Sequence, residues 1–387
     1  MRSPPIGTQH LSQAAKLVPA FQDQDSVFSS AFGVLREAIQ QTIFPGASVA
    51  VMLDGQLRAL RAFGTLTYDA HSPEVTAATI FDLASLTKPL ATTSMAMILY
   101  ERGMLELDAP VAGTVPEFRN AGDSRREEIT FRMLLAHSSG LPAYERLFLR
   151  ANTRDELLRA AFATPLRADP GTRAEYSDIG FIVLGIALER IAEESLDSFC
   201  RREVFGPLTM ANTTFNPPQQ NRSEIPPTAD ERIARESSIA QRSTFRNRII
   251  QGEVQDENAY ILGGVAGHAG LFSTAEDVIN FAYAMLLGGL PIVRPETFEL
   301  FTTRQKQPAG TSRALGWDTP SNPSQSGKHF GPGSYGHLGY TGTSLWIDPG
   351  RKLSITLLTN RTWPDCGNQA IKQLRPKFHD AVIEALS

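Results

Sequence analysis

The stretch GASVAVMLDGQLRALRAFG, residues 46–64, sets two apolar runs on either side of Asp54-Gly55. An Asp-Gly pair between such runs signals a tight hairpin, because both residues tolerate the positive φ that a two-residue turn demands. A second pair of runs, TSLWIDP (343–349) and KLSITLLTN (352–360), stands near the other end of the chain. Between the pairs the pattern is mostly helical. SVFSSAFGVLREAIQQTI (26–43) and the segment from about 367 to 386 repeat apolar residues at helical spacing and lie outside the strand pairs. The economical packing is an α+β fold. One antiparallel sheet forms from both chain ends and is flanked by the terminal helices, with a mostly helical lobe inserted between them.

The spacing predicts a helix from near Ser85 to about Arg102 and further helices over 105–215. TFRMLLAHSSGLP (130–142) reads as a helix stopped at Gly140 and Pro142. YSDIGFIVLGIALERIAEES (176–195) opens another, capped by Ser177 or Asp178. Thr274 and Asp277 form an acidic capping pair before a later helix. Residues 1–25 read as a loose lead-in. Residues 26–387 read as one domain, with an α/β lobe over about 26–80 and 305–387 and a helical lobe over about 85–300. The polar, loop-rich excursions 216–260 and 305–336 are expected to wall a cleft between the lobes.

Composition narrows the function. The 387 residues are 42% hydrophobic, enough for a sizeable core, and a formal charge of −4 gives no basic footprint for nucleic acid. Two cysteines, Cys200 and Cys366, make no disulfide framework and read as buried thiols. No apolar run approaches the roughly 18–20 residues that cross a bilayer, and the N-terminus has no signal-like apolar core, so the chain as it stands reads as cytoplasmic. The seven histidines are scattered without a ligand spacing, so neither a metal nor a cofactor is expected.

Only seven of the 37 basic residues are lysines, and one of them, Lys88, follows Ser85 by three positions in FDLASLTKPLATT (81–93). Residues i and i+3 of a helix share a face. A serine hydroxyl is a poor nucleophile unless a base stands beside it, and a lysine in apolar surroundings releases its proton more readily. A helix N-terminus at Ser85 would also favour an oxyanion developing there.

Two further segments carry chemistry-bearing residues: EYSDIGF (175–181), with Tyr176 and Asp178, and GHLGYTGTSLWIDP (336–349), with His337 and Gly339. With FDLASLTK, they resemble the S-x-x-K, Y-x-N and K-T-G motifs of the serine β-lactamase and penicillin-binding-protein superfamily. The similarity is greatest to its Y-x-N branch of AmpC-type β-lactamases, D-alanyl-D-alanine carboxypeptidases, D-aminopeptidases and family VIII carboxylesterases, where H-x-G often replaces K-T-G. LLAHSSGLP (134–142) and DENAYILGGVAGHAGLFSTAEDV (256–278) also resemble phrases of that branch.

The resemblance implies a β-lactamase/transpeptidase-like fold and an acyl-enzyme mechanism. Ser85 would be the nucleophile. Lys88 and Tyr176 would share the work of the base, with the Tyr176 phenol kept partly ionised by Lys88. The backbone N–H groups of Ser85 and Tyr340 would form the oxyanion hole. His337 would stand where a lysine holds the network or a substrate carboxylate, with Gly339 beside it. His137 and His268 read as structural hydrogen-bonders.

One position departs from the pattern. Asp178 replaces the family's asparagine, and an ionised carboxylate accepts hydrogen bonds but donates none. Asp178 either pairs with Lys88, leaving tyrosinate as the main base, or faces the cleft and accepts from a substrate amine. Together with histidine at 337, this favours a carboxylesterase acting on short acyl esters, with weak β-lactam hydrolysis. The alternatives are a peptidase or amidase on D-amino-acid or cell-wall peptides, and a non-catalytic penicillin-recognising module. The partner in each case is a small ester, amide or β-lactam.

Overall fold

The computed structural model describes residues 16–119, 122–233 and 245–387. Residues 1–15 of the expected lead-in and 234–244 of the first excursion lie outside the described residues. The main sheet has six strands: β1 (Val18–Pro19), β2 (Gly46–Leu53), β3 (Gln56–Gly64), β4 (Tyr335–Leu338), β5 (Ser344–Asp348) and β6 (Leu353–Thr359). Their order is β1-β3-β2-β6-β5-β4. All neighbours are antiparallel except β1, which lies parallel to β3. The two hairpins therefore join through β2 and β6, with Val49 opposite Leu357. Asp54 and Gly55 turn the first hairpin at φ 48° and 75°, as a tight loop requires.

Side chains alternate across each strand. Val49 and Val51 of β2, with Ile355 and Leu357 of β6, face a core shared with helices α1 (Ser29–Gln40) and α4 (Ile371–Ala385). Ala50 and Met52 of β2, with Leu345 and Ile347 of β5, face the other core. Burying each such valine, leucine, isoleucine or methionine side chain contributes about 1.5–3 kcal/mol.

The terminal helices cover only one face of the sheet. The opposite face is covered by α3 (Ala275–Leu286), which packs on β2, β5 and β6 and sends Val278, Phe281 and Met285 into the second core. That helix belonged by sequence to the helical lobe. Its apolar stripe fits either partner, and periodicity alone names none. Thr274 caps it by accepting from the Asp277 N–H, but the Asp277 carboxylate accepts from the Asn212 N–H and Thr213 Oγ1, so the reciprocal half of the capping pair is absent.

The helical layer centres on α2 (Asp178–Ala192), buried along most of its length and capped by Ser177 Oγ, which accepts from the Gly180 N–H. The helix in TFRMLLAHSSGLP ends at Leu135, earlier than Gly140 suggested. His137 takes a left-handed φ of 56°, and the Ser138 and His137 N–H groups close on the Met133 and Leu134 carbonyls. This is a Schellman stop made without glycine. Cys200 and Cys366 are buried and form no disulfide with each other. No helix among the described residues is long and apolar enough to cross a membrane.

Candidate active site

Ser85 sits at the start of a composite helix: a 3₁₀ turn over Ala84–Leu86, a π-helical turn over Lys88–Thr93, then an α-helix over Ser94–Glu101. The chain enters it from a short ribbon in which Phe81–Asp82 pairs with Leu271–Ser273. Ala84 is held at φ 48°, a costly conformation for a residue with a Cβ. The Asp82 carboxylate supports that bend by accepting from the Ala84 N–H at 2.8 Å and, through its other oxygen, from the Gln255 N–H at 2.7 Å. The turn leaves Ser85 half-buried on the wall of a cavity of about 540 Å³.

The structure brings Lys88, Tyr176 and Asp178 to that hydroxyl. Lys88 is fully buried. Its ammonium donates to Ser85 Oγ at 3.1 Å, Asp178 Oδ1 at 2.6 Å and the His268 carbonyl at 2.8 Å. Three donors thus meet three acceptors. Burial lowers the Lys88 pKa, and the Asp178 carboxylate acts against that fall. The Tyr176 oxygen lies 2.6 Å from Ser85 Oγ and 3.0 Å from Asp178 Oδ1. The four groups close a ring of hydrogen bonds if Lys88 donates to Ser85, Ser85 to Tyr176, and both Tyr176 and Lys88 to Asp178.

Burial first, and then the Asp178 carboxylate, push the Tyr176 phenol well above its ordinary value, a direction opposite to the partial ionisation expected of it. Lys88 Nζ lies over the ring face, 4.9 Å from its centroid, while its charge is engaged by Asp178. Of the two positions considered for Asp178, the structure has the pairing with Lys88.

His337, on β4, also lines the cavity, 6.0 Å from the Tyr176 ring centroid. Its Nδ1 meets the Leu338 carbonyl at 2.9 Å, and its Nε2 has no hydrogen-bond partner among the described residues. Burial, helped by the charges of Lys88 and Arg313, holds its pKa well below the ordinary histidine value. A neutral imidazole is therefore no substitute for a lysine charge. His137 accepts from the Ser177 N–H at 3.0 Å and packs its ring on Tyr176, while His268 meets Asp256 at 2.8 Å. Both make hydrogen bonds within the protein, as expected of structural histidines.

Opposite Ser85, the turn after β4 carries Gly339 and Tyr340 to the same cavity. A Cβ at Gly339 would come within 2.5 Å of the Leu83 carbonyl oxygen, so glycine is required for this close approach. Thr341 and Thr343 donate to the Asp82 and Leu83 carbonyls at 2.8 and 3.1 Å, tying the turn to the segment that positions Ser85.

Sequence reasoning missed the cations behind and beside this turn. Arg375 of α4 is buried and donates to the Gly339, Gly342 and Thr343 carbonyls at 2.6, 3.2 and 2.9 Å. Arg361 donates to the Tyr340 carbonyl at 2.8 Å. Arg375 does stand on the apolar stripe of its helix, among Ile371, Leu374 and Phe378, which is a readable signal. Arg313, in a loop-rich stretch, gave none. Its guanidinium lies over the Tyr176 ring at 5.6 Å and meets Asp318 at 3.5 Å, and its side chain donates no closer hydrogen bond among the described residues. No cluster of three or more histidine, cysteine or acidic residues suited to a metal occurs among the described residues.

Comparison with known proteins places the chain in a family. Residues 33–374 match the beta-lactamase family model. An N-acetylmuramyl-L-alanine amidase of Bacillus subtilis is 33% identical over 82% of this chain and 77% of its own length. A putative D-alanyl-D-alanine carboxypeptidase of Escherichia coli is 32% identical over 82% of this chain and 79% of its own. Among solved structures, EstCE1, a hydrolase with promiscuous acyltransferase activity, shares the fold with a TM-score of 0.73 at 24% identity, covering 93% of this chain and all of its own.

Proposed function

The chain belongs to the beta-lactamase family, and we propose that it is a serine hydrolase in which an acyl group is transferred to Ser85 and then to water, with short acyl esters as substrates. The observation that carries this reading is Ser85 Oγ within hydrogen-bond reach of both Tyr176 and Lys88, on a cavity wall facing Tyr340. Ser85 Oγ attacks the carbonyl and its proton enters the network at Tyr176. The oxyanion is stabilised by the N–H groups of Ser85 and Tyr340. The leaving group takes the proton back, and water repeats the sequence in reverse to release the acid.

The neutral His337 favours esters, because it offers no fixed charge to a carboxylate. A second reading, amide cleavage in amino-acid or cell-wall peptides, is favoured by Arg313, whose guanidinium faces the cavity with donors to spare. The names of the amidase and carboxypeptidase relatives agree with it. Turnover of p-nitrophenyl butyrate, N-acetylmuramyl-L-alanine and D-alanyl-D-alanine separates the readings. Ser85→Ala is expected to lower every productive kcat by about 10⁴-fold or more. Stable labelling by a fluorescent penicillin without turnover of any of these compounds would instead favour a penicillin-recognising module and end the hydrolase reading.

A further inference from the structure

We propose that Asp178 is the terminal proton acceptor of the acylation step: the Ser85 Oγ proton passes to the Tyr176 oxygen as the phenol proton passes to Asp178 Oδ1. The proposal rests on the reading of Ser85 as the nucleophile and goes beyond it, because the family's asparagine at this position has no basic oxygen to receive a proton.

The geometry is a continuous path. Ser85 Oγ and the Tyr176 oxygen are 2.6 Å apart, and the Tyr176 oxygen and Asp178 Oδ1 are 3.0 Å apart, both within the reach of direct proton transfer. Two other bases compete with this path. A neutral Lys88 that kept its donors on Asp178 and the His268 carbonyl would turn its lone pair toward Ser85 Oγ, but it would give up the ion pair with Asp178 at 2.6 Å. A resting tyrosinate would set two anions 3.0 Å apart. Passing the proton onward avoids both states, because the phenol is never left charged.

The step balances. The Ser85 oxygen forms its bond to the acyl carbon as the carbonyl π pair moves onto the oxyanion, and two protons each move one place along the path. When the tetrahedral species collapses, the bond to the leaving group breaks. The leaving group takes the Tyr176 proton, and Asp178 returns its own to Tyr176. Lys88 remains an ammonium throughout, holding Asp178 Oδ1 and Ser85 Oγ in line. The other charged or titratable groups around the path are Arg313 over the Tyr176 ring, His137 packed on that ring, His337 on β4, the Asp256–His268 pair near Lys88, Tyr144 on the cavity wall and, before Ser85, Asp82, whose pKa burial raises to about 6. Of these, burial holds the His137 and His337 pKa values well below the ordinary histidine value.

Asp178→Asn tests the relay by installing the family's residue. Acylation of p-nitrophenyl butyrate is followed as kcat/KM against pH in the wild type and this variant. With the relay, wild-type activity persists on the acid side of pH 6. The variant, left with neutral Lys88 or tyrosinate as base, has its acid limb displaced to alkaline pH by about 2 units or more and loses about 10²-fold at pH 6. If the variant does not fold, a wild-type proton inventory decides. In H₂O/D₂O mixtures the acylation rate bows below a straight line when two protons are in flight and is linear when one is. An unmoved acid limb or a linear inventory overturns the relay. Labelling of Ser85 by a fluorophosphonate in that same preparation leaves the nucleophile reading intact, whereas absent labelling removes both.

Discussion

The two walls of the cavity are built by opposite means. The Ser85 wall is a ring of side chains in which Lys88, Tyr176 and Asp178 share one short network, and each member has a part in the proposed chemistry. The facing wall is a backbone turn, Gly339–Thr343. Its useful groups are N–H donors, and its side chains and the arginines behind it serve to hold it still. In the proposed mechanism one wall moves protons and the other must not move. A preorganised oxyanion site stabilises charge because its donors need no rearrangement when the charge appears. Among the described residues, Arg375 supplies that rigidity without a carboxylate in hydrogen-bond contact. Three carbonyls take three of its five N–H donors, and burial together with the neighbouring Arg361 charge brings its pKa down to about 9.

The strongest way to break this division is Arg375→Met. It removes a hydrogen bond from three carbonyls, of which those of Gly339 and Thr343 still accept from the Gly342 and Gly339 N–H groups, and an unsatisfied buried acceptor costs about 1–3 kcal/mol. We expect a marked fall in Tm and, in the protein that remains folded, a kcat for ester hydrolysis lower by about 10²-fold with KM little changed. Arg375→Lys should restore part of kcat. A variant with altered KM and normal kcat would mean that the turn binds substrate and does not stabilise the oxyanion.

A smaller effect sharpens the boundary between the walls. Arg313→Met should raise KM about tenfold for substrates with a free carboxylate and leave neutral esters unchanged. Equal effects on both substrate types would place Arg313 in the support of Tyr176 instead.

The smallest concerns His337. Its native pKa is depressed, so between that value and about 6.5 the unfolded chain binds more protons than the native state. The stability it contributes is present above about pH 6.5 and is lost as pH falls, by up to about 1.4 kcal/mol per unit. His337→Gln should therefore narrow the Tm difference between pH 7.5 and 5.5. An unchanged difference would show that the imidazole titrates normally in the native protein.

What the sequence disclosed follows the same division. Ser85, Lys88, Tyr176 and Asp178 were readable because side-chain chemistry is written in residue identity, and the S-x-x-K spacing fixes two of them on one helical face. The hairpins were readable because Asp54-Gly55 and the flanking apolar runs are local signals. Arg313 was hidden, since its neighbour Tyr176 lies far away in the chain and no periodicity links them. The position of α3 on the sheet was hidden for a related reason: an apolar stripe records that a helix is covered, not what covers it. The environment of Tyr176 was hidden because it depends on distances: burial, and then the Asp178 carboxylate 3.0 Å away, raise the pKa of the phenol.

The central claim is that Ser85 carries the acyl group. The most direct measurement is peptide mass spectrometry of the protein after reaction with a fluorophosphonate under conditions in which p-nitrophenyl butyrate is hydrolysed. The account predicts a single adduct on the peptide containing Ser85, and none in Ser85→Ala. An adduct on a different residue, or continued hydrolysis with Ser85 unmodified, would contradict it.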